Sequence, residues 1–335
     1  MVGSINRETL IHKAVGRILP LCAAAGVTLL LADSLSAQNY PNRVIKFIVP
    51  LAPSSPIDVI ARMIAPALSA RLGHPVIVEN RPGGGTTIGT RAVAKASPDG
   101  YTLLFTGATH TVAPALSKNL GYDPIKDFAA IGSVGRGSWV LVVRPSVPAH
   151  SVQELVSYAM ANPGKLNWGF GRNAGPHLLG ELFISETLID VNRVPYKTGA
   201  EAVPDMLGGR IDMNIGTVEN LLPLLQDGKL RAIVTTGELR SSELPEVATM
   251  KESGLPKLTK GFWAGLLGPS ALPHDIVTKL NADLNAILTT RDLAASLTNF
   301  GIEAKGGRPE EFATLIDEEI KAWQTAAKLA GIEPE

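Results

Sequence analysis

The chain has 335 residues, 45% of them hydrophobic, and its 31 basic side chains are matched by 31 acidic ones. That balance lacks the basic excess nucleic acid requires and the acidic excess of a solvating tail, and aromatic residues at 5% give no stacking platform for bases. Cys22 is the only cysteine, so the chain beyond it can form no disulfide, thiolate metal site or cysteine nucleophile.

Arg7, Lys13 and Arg17 precede the apolar run ILPLCAAAGVTLLLA, and small residues follow at Ser34, Ser36 and Ala37. A basic segment, a short apolar stretch and small residues form a secretory signal, here expected over residues 1–37. The run is short for a membrane span. Removing it takes away three basic and two acidic residues, which leaves a net charge of −1. An exported, near-neutral, cysteine-free protein fits the bacterial periplasm.

Strand and helix signals then alternate. RVIKFIV reads as a strand. IDVIARMIAPALSARLG reads as a helix, with Ile57, Ile60, Ala61, Ile64 and Leu68 on one face and Gly73 with Pro75 as its stop. PVIVEN (strand), TTIGTRAVAKA (helix) and YTLLFTG (strand) follow, then IGSVG and WVLVVRPS as two further strands. SVQELVSYAMANPG is a helix with Ser151 and Glu154 in capping-box register. KLNWGF, VNRVPY, IDMNIG and LRAIVTT read as strands, separated by the helices PHLLGELFISET, GAEAVPDMLGG and VENLLPLLQDG. Residues 273–331 read as helices only. Alternation at this spacing predicts an α/β fold with parallel strands flanked by helices, and the helical tail is expected to return over an earlier sheet.

The candidate functional residues lie where strands end and helices begin, which is where open α/β sheets bind ligands. In APSSPID, Ser55 is a cap, Pro56 suits the first helical position, and Asp58 reaches back to the cap. Pro53, Ser54, Ser55 and Asp58 therefore form either a stiff anion-competent loop at a helix N-terminus or simply a well-capped turn. The end of YTLLFTG adds Thr106, Thr109 and His110. A second glycine-rich loop, WGFGRNAGPH, adds Phe170, Gly171, Arg172, Asn173, Ala174 and His177. Its arginine is either a carboxylate clamp or a solvated surface charge. Tyr196 ends VNRVPY, and Thr217 with Glu219 opens the helix after IDMNIG. ENRPGGGTTIGTR resembles a dinucleotide fingerprint, but its third glycine is late, no P-loop lysine follows, and a close-packing bend is the favoured reading. The histidines lack metal spacing, and no Gly-x-Ser-x-Gly elbow occurs. Loops rich in amides and hydroxyls, without nucleophile or metal set, suit binding a small anion rather than transforming it. No cofactor is expected. An exported enzyme using His110 or His177 as base, and a ligand-sensing domain for a signalling partner, remain the alternatives.

YPNRVIKFIVP, VIVENRPGGG, SPDGYTLLF, YDPIKDFAAIGSV, VLVVRPSVPAHSVQEL, VPYKTGAEAVPDMLGGRIDM and LPEVATMKESGLP occur in this order along the chain. They resemble the Bug-type extracytoplasmic solute-binding proteins of tripartite tricarboxylate transport systems. The resemblance implies a type II periplasmic-binding fold with two lobes, residues 40–139 plus 264–335 and residues 140–263, each a mixed, mainly parallel sheet flanked by helices, with a ligand cleft between them. It also implies a monomer that is not an enzyme, a small di- or tricarboxylate ligand, and membrane permease subunits as partners. The family usually has Gly-Gly where Ser54-Ser55 stand and a Ser/Gly-rich run where WGFGRNAG stands. Phe170 and Arg172 are then expected to form an apolar wall with a cation, suited to an aromatic or longer dicarboxylate such as terephthalate.

Overall fold

The computed structural model describes residues 40–172, 174–329 and 331–334. The expected secretory signal and Asn173 lie outside the described residues. Along the chain run β1 (Ile45–Val49), α1 (Pro56–Leu72), β2 (Val76–Asn80), α2 (Thr87–Ala94), β3 (Thr102–Gly107), α3 (Thr109–Leu116) and β4 (Phe128–Val143). Next come α4 (Val152–Ala161), β5 (Asn167–Gly171), α5 (Gly175–Thr187), β6 (Asn192–Tyr196), α6 (Val203–Leu207), β7 (Met213–Thr217), α7 (Val218–Gln226) and β8 (Arg231–Thr235). The last part holds β9 (Gly261–Pro269), α8 (His274–Leu288), α9 (Arg291–Asn299), β10 (Glu303–Ala304) and α10 (Pro309–Leu329).

The strand order is β2-β1-β3-β9-β4-β7-β5-β6, with β8 and β10 also pairing with β4. β1 is parallel to β2 and β3, and β5 is parallel to β6 and β7. Every antiparallel pairing involves β4 or β9. The first part of β4, up to Ser138, pairs with β9, and the part from Trp139 onward pairs with β7 and β8. The sequence predicts two strands here, but the structure has one of 16 residues. Two register shifts, between Ala130 and Gly132 and between Ser133 and Gly135, absorb the glycines that read as breaks. β10 is a second difference: the tail, expected to be helical only, adds this short strand against Gly135 and Arg136.

α1 forms because its cap signals agree. Ser55 Oγ accepts from Asp58 N–H, Pro56 occupies the first turn, and Gly73 closes the helix at φ 71°. Its inner face buries Ile60, Ala61, Ile64 and Leu68 completely, against a sheet whose Phe47 and Phe105 rings stack at 5.5 Å. Each large side chain buried in this way stabilises the fold by about 1.5–3 kcal/mol. Around β4 and β7 a second cluster gathers Val140, Val142, Met206, Ile211, Val218, Leu221 and Leu230. Gly180, in the middle of α5, is required there: a β-carbon would overlap the indole of Trp168, itself fully buried. Among the described residues no helix is long and apolar enough to cross a membrane.

Candidate functional site

Because β1 and β3 are neighbours, the β1–α1 and β3–α3 loops emerge side by side. A β-carbon on Gly107 would lie 2.5 Å from both the Ile57 side chain and the Trp263 carbonyl, so the two loops and β9 meet without a gap. In the β1–α1 loop Ser54 has a left-handed backbone, φ 65°, fixed where its N–H donates to Asp58 Oδ2 at 2.9 Å. Asp58 also accepts from Asn80 Nδ2 at 2.8 Å and Arg62 Nε at 3.1 Å, and only 2% of it is exposed. Burial works to raise its pKa, but the hydrogen bonds from Arg62, Asn80 and Ser54 outweigh that and hold the carboxyl below its usual range. Asp58 is thus fully committed to holding the loop, and no part of its carboxylate is left for a ligand. Ser54 is exposed and Ser55 partly so. Ile57 N–H has no partner among the described residues.

At the β3–α3 end, Thr106 is completely buried in the strand, and the Thr109 hydroxyl is shut from bulk water. Neither hydroxyl has a partner among the described residues. His110 turns away from the loop: its Nε2 lies 2.9 Å from the Pro124 carbonyl, and its ring meets Phe128 edge-on at 5.1 Å and stacks with Tyr122 at 6.3 Å. The carbonyl partner requires the proton on Nε2, and burial depresses the pKa to about 4. His110 is therefore neutral at pH 7 and packed inside, away from the loop it follows.

β5 and β7 bring the other candidates together. Gly171 is pressed against the backbone of Thr198 and Gly199, and Arg172 N–H donates to the Tyr196 carbonyl at 3.1 Å. The Arg172 side chain is exposed and makes no ion pair or hydrogen bond among the described residues. Ala174 precedes α5 as its N-cap and offers no side-chain bond. Phe170 is not an open wall: 7% of it is exposed, and it stacks with His177 at 4.3 Å and Trp168 at 4.5 Å. Burial lowers the His177 pKa, and Arg172 and Arg193 add to this against Glu181. Tyr196 spends its hydroxyl on Asp205 Oδ2 at 2.7 Å. Thr217, opposite Trp139 in the ladder, is the N-cap of α7; its hydroxyl makes no cap bond and engages the Glu219 side chain instead. Glu219 packs directly on Gly301, the glycine between α9 and β10, and burial raises its pKa to about 7.

This scaffold has known counterparts. The profile described as tripartite tricarboxylate transporter family receptor, TctC, matches residues 60–332. The chain belongs to that receptor family. Protein BugT of Bordetella pertussis is 34% identical to it over 92% of this chain and 95% of BugT. The solved structure of the periplasmic binding protein BugD has a TM-score of 0.74 at 33% identity, covering 88% of this chain and 100% of BugD. A Rhodopseudomonas palustris protein, Rpa4515, solved with adipate, has a TM-score of 0.77 at 32% identity, covering 88% of this chain and 100% of that one. The mixed α/β fold of this TctC receptor is that of these binding proteins.

Three features of the receptor escape the sequence. The ring of Trp139 lies directly over Gly175 at the start of α5, and 6.3 Å away it meets Trp323 of α10. Glu319 of α10 accepts from Thr111 Oγ1 at 2.8 Å and Trp263 Nε1 at 2.7 Å, with burial raising its pKa. Asn80, at the end of β2, completes the cradle of Asp58. None carries a local motif; each depends on which strands become neighbours.

Proposed function

We propose that this TctC receptor is exported to the periplasm, captures a small dicarboxylate between two lobes, and delivers it to the membrane subunits of a tripartite tricarboxylate-type transporter. The lobes are residues 40–139 with 264–335, and residues 140–263. The observation that carries the reading is the set of uncommitted donors at the strand-to-helix loops: Ser54, Ser55 and Thr109 on one side and Arg172 on the other. Hydroxyls, free amides at helix N-termini and one guanidinium favour a ligand with two carboxylate ends. The adipate-bound relative supports that ligand class. Pro53 and Gly171 shape the loops, while Asp58, Tyr196 and His110 support them from behind. Burial of Phe170 in its ring stack removes the reason to favour an aromatic ligand, so aliphatic diacids are preferred.

Closure follows from sharing one ligand between two half-sites, the hinge motion common to such clefts. Calorimetric titration of the purified protein with C4–C6 aliphatic diacids, citrate, phthalate and terephthalate tests the proposal. Saturable binding of an aliphatic diacid, weakened by Arg172→Gln, is the expected result. Failure of every diacid to bind, or binding indifferent to Arg172, refutes it.

A further inference from the structure

Glu219 stands in the first turn of α7, where a helix dipole ordinarily favours a carboxylate and holds its pKa down. Burial reverses that and raises the pKa to about 7. One carboxyl oxygen, Oε2, is shut from water and has no hydrogen-bond partner among the described residues. The Thr217 hydroxyl and the residue's own N–H oppose the raise without cancelling it.

The side chain is held where it is by a turn from far along the chain. A β-carbon on Gly301 would overlap the Glu219 carboxyl, so the turn between α9 and β10 rests directly on it. That turn is itself fixed. Gly301 has φ 72°, its N–H donates to the Thr298 carbonyl at 2.8 Å, and Ile302 N–H donates to the Leu297 carbonyl at 2.9 Å. On its other side the Gly301 carbonyl lies against Gly137, where a β-carbon would come within 2.5 Å of it.

The surrounding charges do not favour the ionised form either. The stretch after β8, whose Leu244 packs on the same cluster as Val218 and Leu221, carries Glu238, Arg240 and Glu243. β4 carries Arg136, β9 is preceded by Lys260, and Glu303 and Lys305 follow Gly301. Arg240 is paired with Glu252. Of all these, Glu243 acts on Glu219, and as a second acid it raises the pKa further. The position matters for a ligand. β5 and β7 are parallel neighbours, so α7 starts beside the β5–α5 loop that carries Arg172. With the lobes assigned above, Glu219 belongs to one and Gly301 to the other.

Resting on the dicarboxylate reading, we infer that Glu219 is the proton-linked residue of ligand capture: it takes up one proton from solvent as the dianion enters between the lobes and returns it when the dianion leaves. Two added negative charges make the ionised carboxyl still less favourable, and the coupling is reciprocal, so a lower pH tightens binding. Protonation also stops Glu219 from offsetting the positive end of α7.

The test titrates succinate, glutarate and adipate into the full chain by calorimetry at pH 6, 7 and 8, in buffers of different ionisation enthalpy that count the protons taken up. Affinity about threefold to tenfold weaker at pH 8 than at pH 6 is expected, with net proton uptake on binding. Glu219→Gln mimics the neutral acid; its affinity should be flat across this range and tighter than the parent's at pH 8, with no proton uptake. A purely structural role would instead change affinity equally at every pH. Glu243→Gln leaves Glu219 in place and should move the midpoint of the dependence to lower pH. Parental affinity that is indifferent to pH overturns the inference and leaves the diacid reading standing. So does a dependence that survives Glu219→Gln, which would assign it to another group such as His177. Failure of all three diacids at every pH overturns the diacid reading and this inference with it.

Discussion

The β1–α1 loop and the β5–α5 loop both connect a buried strand to a helix, but they are made rigid by different means. The first is held by its own polar side chains: Ser55 caps Asp58 N–H, and Asp58 binds Ser54 N–H, Arg62 and Asn80. The second has Ala174 as a cap without a side-chain bond, and its support comes from packing behind it. There Gly171 abuts the Thr198–Gly199 backbone, Gly175 lies under Trp139, and Phe170 is locked against His177 and Trp168. A loop held by polar groups has few of them to spare. A loop held by packing can leave a charge such as Arg172 unengaged, and substitutions in the two loops should therefore act on different properties.

The largest effect is expected from Asp58→Ala, which removes a buried carboxylate and with it the shared acceptor of Ser54 N–H, Arg62 and the half-buried Asn80. Loss of about 3 kcal/mol of unfolding free energy is expected in urea melts. Asp58 also predicts a pH dependence. Its folded pKa lies below the unfolded one, so its contribution is present above the usual carboxylate range and is lost as pH falls through the folded value. The Ala variant should therefore show a flatter acid limb in melts taken at descending pH.

Arg172→Gln should do the opposite. Stability should stay within about 0.5 kcal/mol of the parent, as for an exposed surface residue. Diacid affinity by calorimetry should fall about tenfold, the worth of one charge-assisted contact. If Arg172→Gln unfolds the protein while Asp58→Ala does not, the contrast between the loops is wrong.

Ser55→Ala sits between them, removing a cap whose bond is long, 3.3 Å. A loss of about 0.5–1 kcal/mol in thermal melts is expected. A drop in diacid affinity beyond that separates a ligand contact from a cap. The smallest effect at neutral pH belongs to Glu219→Gln. The folded pKa of about 7 exceeds the unfolded one, so the stabilisation is full below the usual range and is lost as pH rises through about 7. Thr217 and its own N–H oppose the raise, and Glu243 adds to it. Melting curves from pH 5 to 9 should fall less steeply for the Gln variant; parallel curves would remove Glu219 from the titration.

These two loops also mark what can be read from sequence. Ser55, Pro56 and Asp58 are legible because capping acts over a few residues, and the amphipathic face of α1 is legible because its period is helical. The continuity of β4 is not: Gly132, Gly135 and Gly137 look like breakers until β9 supplies a partner whose register shifts accommodate them. Phe170 reads as a wall because nothing local announces that His177 and Trp168 will cover it. The contact between Glu219 and Gly301 is equally silent, since it joins the start of α7 to a turn far along the chain.

Because β4 passes as one strand from its pairing with β9 into its pairing with β7 and β8, a cut inside it breaks both ladders. A fragment ending near Trp139 would keep strands whose backbone groups have lost their neighbours, and bare strand edges recruit other chains. Dissecting this receptor by truncation would yield aggregates rather than half-receptors; spectroscopic labels on the intact chain are the workable route.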